Sequence, residues 1–272
     1  MSAYLKDIKK LTPSDLKEKK NKKEKISALT AYDYSMARLL DQTYIDFILV
    51  GDSASNIMAG HENTLPISLK EMIYHAKSVV KGVRKKLVIA DLPFGSYQQS
   101  TKQALKSAIS MVKKANVQAI KIEGGVSIIK KIEKIIQAGI PVMGHLGLMP
   151  QFIHHYKGYE LQAKEEKQAE ELIKEAKCLE QAGCFALVLE KVPALVAEKI
   201  TKLLTIPIIG IGAGDKVDGQ ILVINDLLGM DETFHPKFIK QYLNLSSLIK
   251  GAVNEYTKEV ILGVFPSKEH QY

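Results

Sequence analysis

Cysteine is nearly absent from this chain: only Cys178 and Cys184 occur in 272 residues, too few for a disulfide framework or a thiolate metal cage. Both read as small buried hydrophobes, one within a helical pattern and one at the start of a strand. Long apolar runs are missing as well. No stretch approaches the roughly 18 residues a membrane-spanning helix needs. The N-terminus reaches Lys6, Asp7, Lys9 and Lys10 without the apolar core of a signal peptide, so the expected compartment is the cytoplasm. No Pro-, Gly- or Ser-rich linker breaks the pattern, which predicts a single domain over residues 1–272.

The net charge of +8 invites a nucleic-acid reading, yet its distribution argues against one. Residues 1–25 hold nine Lys against Asp7, Asp15, Glu18 and Glu24, so +5 belongs to one terminal helical segment without interleaved aromatics. Such a segment reads as a solvated helical face, and neither a nucleic-acid nor a membrane partner is expected.

What the chain does have is eight short apolar runs: 26–30, 47–52, 87–91, 119–123, 141–145, 185–190, 207–212 and 220–226. They are near-continuous in Val, Ile and Leu, as parallel strands covered on both faces require. Helical patterns lie between them. Ser68 stands three residues before Glu71 as a capping box for a helix that Gly82 would stop, and apolar residues recur at helical spacing over 102–115 and 165–182. Strand then helix, eight times over, predicts a (β/α)8 barrel of the α/β class, with a doubly wound open sheet as the alternative.

In such a barrel the C-terminal strand ends share one rim. Asp52, Asp91 and Glu123 would meet there, and crowded carboxylates raise one another's pKa unless a cation neutralises them. A hard, oxygen-ligated divalent ion is the natural occupant, Mg²⁺ first; Lys121 stands with Glu123 at the end of one run, and Glu190 closes another. A strand-end Asp also commonly caps the next helix, which is the simplest role for Asp33.

Several segments then carry a resemblance. Ala28 to Ser35, Gly51-Asp52-Ser53, Asp91-Leu-Pro-Phe94, Lys121-Ile-Glu-Gly-Gly125, Gly144-His-Leu-Gly-Leu148 with Pro150-Gln151, Leu187 to Glu190, and Gly210 to Gly214 resemble, in order, the ketopantoate hydroxymethyltransferase family. The resemblance implies transfer of a one-carbon unit from 5,10-methylenetetrahydrofolate to 3-methyl-2-oxobutanoate, and a homo-oligomer, commonly a decamer. It implies Mg²⁺, with Mn²⁺ or Co²⁺ as alternatives, on the residues matching Asp52 and Asp91, with Glu123 in the coordination sphere. Ser53, Lys121 and His145 match substrate contacts alongside the metal-binding Asp52 and Asp91, and Glu190 matches the catalytic base. The loop from Leu146 to Gln162, with His154, His155, Tyr156 and Tyr159, is a candidate lid and folate wall.

Three departures from the family pattern stand out. Ala54-Ser55 replaces the usual Leu-Gly, Leu161-Gln162-Ala163 replaces Val-Gln-Gly, and Lys191 follows Glu190 where a small residue or Cys is common. Lys191 is expected to point to solvent. A Mg²⁺-dependent barrel lyase acting on a 2-oxo acid, and a noncatalytic barrel scaffold, remain the other readings.

Overall fold

The computed structural model describes residues 10–156, 158–233 and 236–272, so residues 1–9 of the lysine-rich segment lie outside the described residues. Eight parallel strands close in chain order into a barrel: β1 (Ile26–Thr30), β2 (Phe47–Val50), β3 (Leu87–Asp91), β4 (Ala119–Glu123), β5 (Val142–Gly147), β6 (Ala186–Glu190), β7 (Ile208–Ile211) and β8 (Gly219–Leu222). Closure excludes the open sheet. The continuous apolar runs are the cause, since every residue of β2, β3 and β4 is buried, with core on one side and helices on the other.

Around the strands run α1 (Pro13–Asn21), α2 (Tyr34–Leu40), α3 (Ala54–Ala59), α4 (Leu69–Gly82), α5 (Thr101–Ala115), α6 (Ile129–Gln137), α7 (Glu166–Gln181) and α8 (Ala194–Leu203). Asp33 caps α2 by accepting the Met36 N–H at 2.9 Å. Ser68 and Glu71 form the expected reciprocal box on α4. Gly82 is not the stop that its position suggests. It is the last residue of α4, and a Cβ there would lie 2.7 Å from the Tyr34 carbonyl oxygen, so glycine serves close packing on α2.

Two strand ends fall short of their apolar runs. β2 stops at Val50 because Gly51 and Asp52 turn into α3. β8 stops at Leu222, and Asp226 sits instead in the first turn of a helix, where the dipole favours an acid. At the seam that closes the barrel, a Cβ on Gly219 would lie 2.4 Å from the Ile26 carbonyl oxygen, so the β8 and β1 backbones meet only because that residue is glycine.

The N-terminal end of the barrel is filled by α1, whose fully buried Leu16 joins Ile26, Phe47, Leu87 and Ile209 in the core. This segment is less solvated than its lysines imply. Lys20 Nζ donates to the Thr201 and Ile206 carbonyls and to Asp218 Oδ2 at 3.0, 2.9 and 2.7 Å, and Lys19 pairs with the buried Asp46. Lys25 donates to the Val217 carbonyl. Cys184, at the same end, is buried as expected, whereas Cys178 is only partly so.

The sequence reading takes 1–272 as one domain; the chain falls into two compact units, one reaching to Leu222 and one over Val223–Tyr272. The second contains α9 (Ile224–Leu228) and α10 (Leu245–Ile261). No residue of α10 is buried, and Leu248, Val253, Tyr256 and Ile261 are exposed. Among the described residues no helix is long and apolar enough to cross a membrane.

Candidate active site

Alternation along the strands decides which residues reach the rim from inside. Ala119 belongs to the core of the barrel, so Lys121 and Glu123 share its inner face; Met143 places His145, Val188 places Glu190, and Ile89 places Asp91 in the same way. Register then makes neighbours of them. Asp91 pairs with Lys121, Glu123 with His145, and Gly147 with Glu190. The contacts follow: Lys121 Nζ lies 3.0 Å from Asp91 Oδ1, and His145 Nδ1 lies 3.3 Å from Glu123 Oε1. His145 Nε2 faces Glu190 Oε2 at 3.4 Å.

Asp52 enters from the turn after β2, its backbone N–H donating to Asp91 Oδ2 at 3.0 Å. Gly51 keeps that turn open, since a Cβ there would lie 2.7 Å from Ser53 Oγ. Ser53 Oγ is 2.8 Å from the Tyr32 hydroxyl. All six predicted rim residues, Asp52, Asp91, Lys121, Glu123, His145 and Glu190, thus lie in one cluster. The first five are at most 4% exposed, while the Glu190 side chain keeps 17%.

Two residues of the cluster carry roles that sequence reasoning missed. Gln151 is buried, and its side-chain amide donates to Asp52 Oδ2 at 2.9 Å and to the Leu92 carbonyl at 3.0 Å. Its backbone N–H donates to Glu123 Oε2 at 3.0 Å, so one residue joins two carboxylates. The buried Tyr97 hydroxyl stands 2.7 Å from Gln151 Oε1 and 3.0 Å from the Glu123 carbonyl, either of which accepts its proton. The Pro150-Gln151 segment was the available signal for the first; nothing in the sequence marked Tyr97.

Charge in this cluster is unbalanced. Burial pushes the Asp52 pKa well up, and Glu123 and Asp91 push it further. Burial raises Asp91 too, against the pull of Lys121. For His145, burial and the Lys121 ammonium act downward, but Glu123 and Glu190 outweigh them and lift it to about 9. Burial also opposes the charge on Lys121, yet Asp91, Glu123 and Asp52 hold its pKa above the usual value. Four carboxylates therefore face two cations, and a proton or a divalent cation must supply the rest.

The donor set fits such a cation. Asp91 Oδ1 and Glu123 Oε1 are buried and meet the Lys121 ammonium at 3.0 Å and His145 Nδ1 at 3.3 Å, and each carboxylate oxygen keeps a further lone pair that a cation can use. Among the described residues no three His, Cys, Asp or Glu side chains form a ready-made metal cage. Mg²⁺ does not require one, because it takes one or two carboxylates and completes its shell with water and substrate oxygens. No thiol competes: Cys184 lies at the opposite end of β6, its pKa pushed up to about 12 by burial, and Cys178 is in α7.

Above the rim, the segment after β5 begins with a short 3₁₀ helix, Pro150–His155, and continues over Gly158–Ala163. Burial raises the Tyr156 phenol to about 12, with Glu123, Glu175 and Glu190 adding to it. Burial, then Glu190 and Asp52, raise Tyr159. Both rings therefore feel the rim carboxylates. Lys191 does not point freely to solvent as expected; its ammonium donates to the Tyr159 carbonyl.

Comparison with known proteins agrees with the barrel fold. The solved barrels that the fold resembles include phosphonopyruvate hydrolase, in complex with oxalate and Mg²⁺ (TM-score 0.61, 14% identity, 96% of this chain and 93% of that one). A 2,3-dimethylmalate lyase is similar (TM-score 0.58, 16% identity, 93% and 99%). At such identities the likeness speaks for the fold alone. Sequence relatives are far nearer: the 3-methyl-2-oxobutanoate hydroxymethyltransferase of Flavobacterium johnsoniae is 54% identical, with 100% of both chains covered. Those of Cytophaga hutchinsonii and Bacteroides thetaiotaomicron are 54% and 52% identical, again over 100% of each chain. Residues 10–268 match the family model for ketopantoate hydroxymethyltransferase, and the chain belongs to that family.

Proposed function

We propose that the protein transfers a hydroxymethyl group from 5,10-methylenetetrahydrofolate to 3-methyl-2-oxobutanoate, forming ketopantoate for pantothenate and coenzyme A synthesis. The carrying observation is the rim cluster itself, in which buried Asp52, Asp91 and Glu123 carboxylates gather around Lys121 and His145, with Glu190 at the more open edge. Mg²⁺ is the proposed ion, with Mn²⁺ or Co²⁺ able to replace it. Asp52 and Asp91 would hold it, with Glu123 beside them, and when bound it supplies Lewis-acid charge next to the oxygens of the 2-oxo acid.

The chain's own residues do the rest. Lys121 and Ser53 hold the substrate carboxylate, and the fixed positive charge of Lys121 and His145 favours the negative charge that grows on the keto oxygen as C3 loses its proton. Glu190 takes that proton, since it is the rim carboxylate that keeps exposure. One water hydrolyses both C–N bonds of the methylene carbon, its protons passing to the folate nitrogens as tetrahydrofolate forms and its oxygen staying on the one-carbon unit. The C3–H electron pair then forms the C–C bond as the C=O π pair moves to that oxygen, which takes back the proton held by Glu190. No covalent enzyme nucleophile is needed. Tyr156, Tyr159 and the neighbouring His154 and His155 form the wall against which the folate is placed.

The lyase alternative is not favoured, since residues 10–268 match the hydroxymethyltransferase family model. A homo-oligomer in the cytoplasm, commonly a decamer in the family, completes the proposal, and the exposed apolar residues of α10 are the proposed contact. The test is ketopantoate formation by the purified protein given both substrates and Mg²⁺. Product that requires all three is the expected result, and its absence under those conditions would refute the assignment.

A further inference from the structure

Lys191 stands immediately after Glu190 in a left-handed conformation, φ +46°, which a non-glycine residue adopts only where its surroundings impose it. Those surroundings are explicit. Its N–H donates to the Ile211 carbonyl at 2.9 Å, fixing it to β7, and its carbonyl accepts the Gln162 N–H at 2.8 Å. Its ammonium reaches back to the Tyr159 carbonyl. The residue after Gln162 is the other half of the arrangement: Ala163 is buried and also left-handed, φ +54°.

The backbone just before Lys191, at the Glu190 carbonyl, is fixed as firmly. Leu148 N–H donates to the Glu190 carbonyl at 2.8 Å, and Gly147 has no room for a Cβ, which would lie 2.2 Å from that same oxygen. One short stretch, Glu190–Lys191, therefore holds the ends of both the segment leaving β5 and the segment entering α7. The Tyr159 ring between those attachments feels the Glu190 and Asp52 carboxylates.

We infer that Lys191 is a positioning residue: its ammonium and carbonyl clasp the Tyr159–Ala163 segment against the Glu190 rim and so shape the pocket for the second, one-carbon-bearing substrate. The clasp is a feature of the fold alone; only its kinetic consequence rests on the proposed function. It gives Lys191 a task that a small residue at this position would leave to the backbone.

The test uses the full-length protein with Lys191→Ala and Lys191→Arg, reading amide hydrogen exchange at Gln162 and the KM and kcat of transfer. Lys191→Ala is expected to speed Gln162 exchange and raise KM for methylenetetrahydrofolate, each by about fivefold, the scale of one exposed charged hydrogen bond, with kcat within about twofold. Lys191→Arg should restore both. A merely structural role would lower the melting temperature without moving Gln162 selectively. Gln162 exchange unchanged in Lys191→Ala, KM unchanged despite faster exchange, or failure of Arg to rescue would overturn the inference. Because exchange is measured without substrate, loss of the clasp and failure of the proposed reaction are separately visible.

Discussion

Gln151 shows how much of this site hangs on a residue that carries no charge. Its side chain touches Asp52 while its own backbone holds Glu123, so it fixes the spacing of two groups that would otherwise repel. Replacing it by Ala removes the amide, strands Asp52 Oδ2 in a buried place and leaves the Tyr97 hydroxyl the Glu123 carbonyl as acceptor. The expected loss is about 1–3 kcal/mol in thermal or denaturant unfolding. Divalent-ion affinity, read by titration calorimetry, should fall by about 10- to 100-fold, as for other residues that orient metal ligands. The rim residues were legible in the sequence because five of the six end an apolar run and Lys121 stands two residues before the end of one, and the barrel brings such ends together. Gln151 and Tyr97 were not legible as site residues, since they come from loops whose paths no periodicity describes.

Among the elements, helices and strands were legible where capping and continuous burial agree, as for α4 with its Ser68–Glu71 box. They were misread where tertiary contact decides. Gly82 reads as a helix stop, but the Tyr34 carbonyl and Ala37 side chain crowd it, so Gly82→Ala should cost about 1–3 kcal/mol through overpacking of α4 on α2, measured by chemical denaturation. Asp226 reads as a strand end but lies in α9, where burial and then Asp231 raise its pKa to about 6. A carboxyl group raised in the folded state holds its proton more tightly there, so folding is favoured at low pH and loses stability as pH rises from about 4 to about 6. Asp226→Asn should therefore match the parent near pH 4 and exceed it at pH 7. The gain, discounted for partial exposure, is on the order of 1 kcal/mol in thermal unfolding followed at both pH values.

For the molecule as a whole, closure of eight parallel strands is what converts residues 99 apart in sequence, such as Asp52 and Gln151, into hydrogen-bonded neighbours. That closure was legible because uninterrupted Val, Ile and Leu runs admit few other arrangements. The division at Leu222 was not, since no change of composition marks it, and the strand-like run over 220–226 passes straight across it. The same architecture segregates roles: α1 and its tethered lysines fill one end, while the charged cluster occupies the other. The central claim is that this charged end removes a proton from C3 of a 2-oxo acid with Glu190 as base. The direct measurement is proton NMR of 3-methyl-2-oxobutanoate in D₂O with the purified protein and Mg²⁺, comparing the parent with Glu190→Gln. The account predicts loss of the C3 signal with the parent and exchange slower by at least about 100-fold with Glu190→Gln. Equal exchange rates in the two proteins would contradict it.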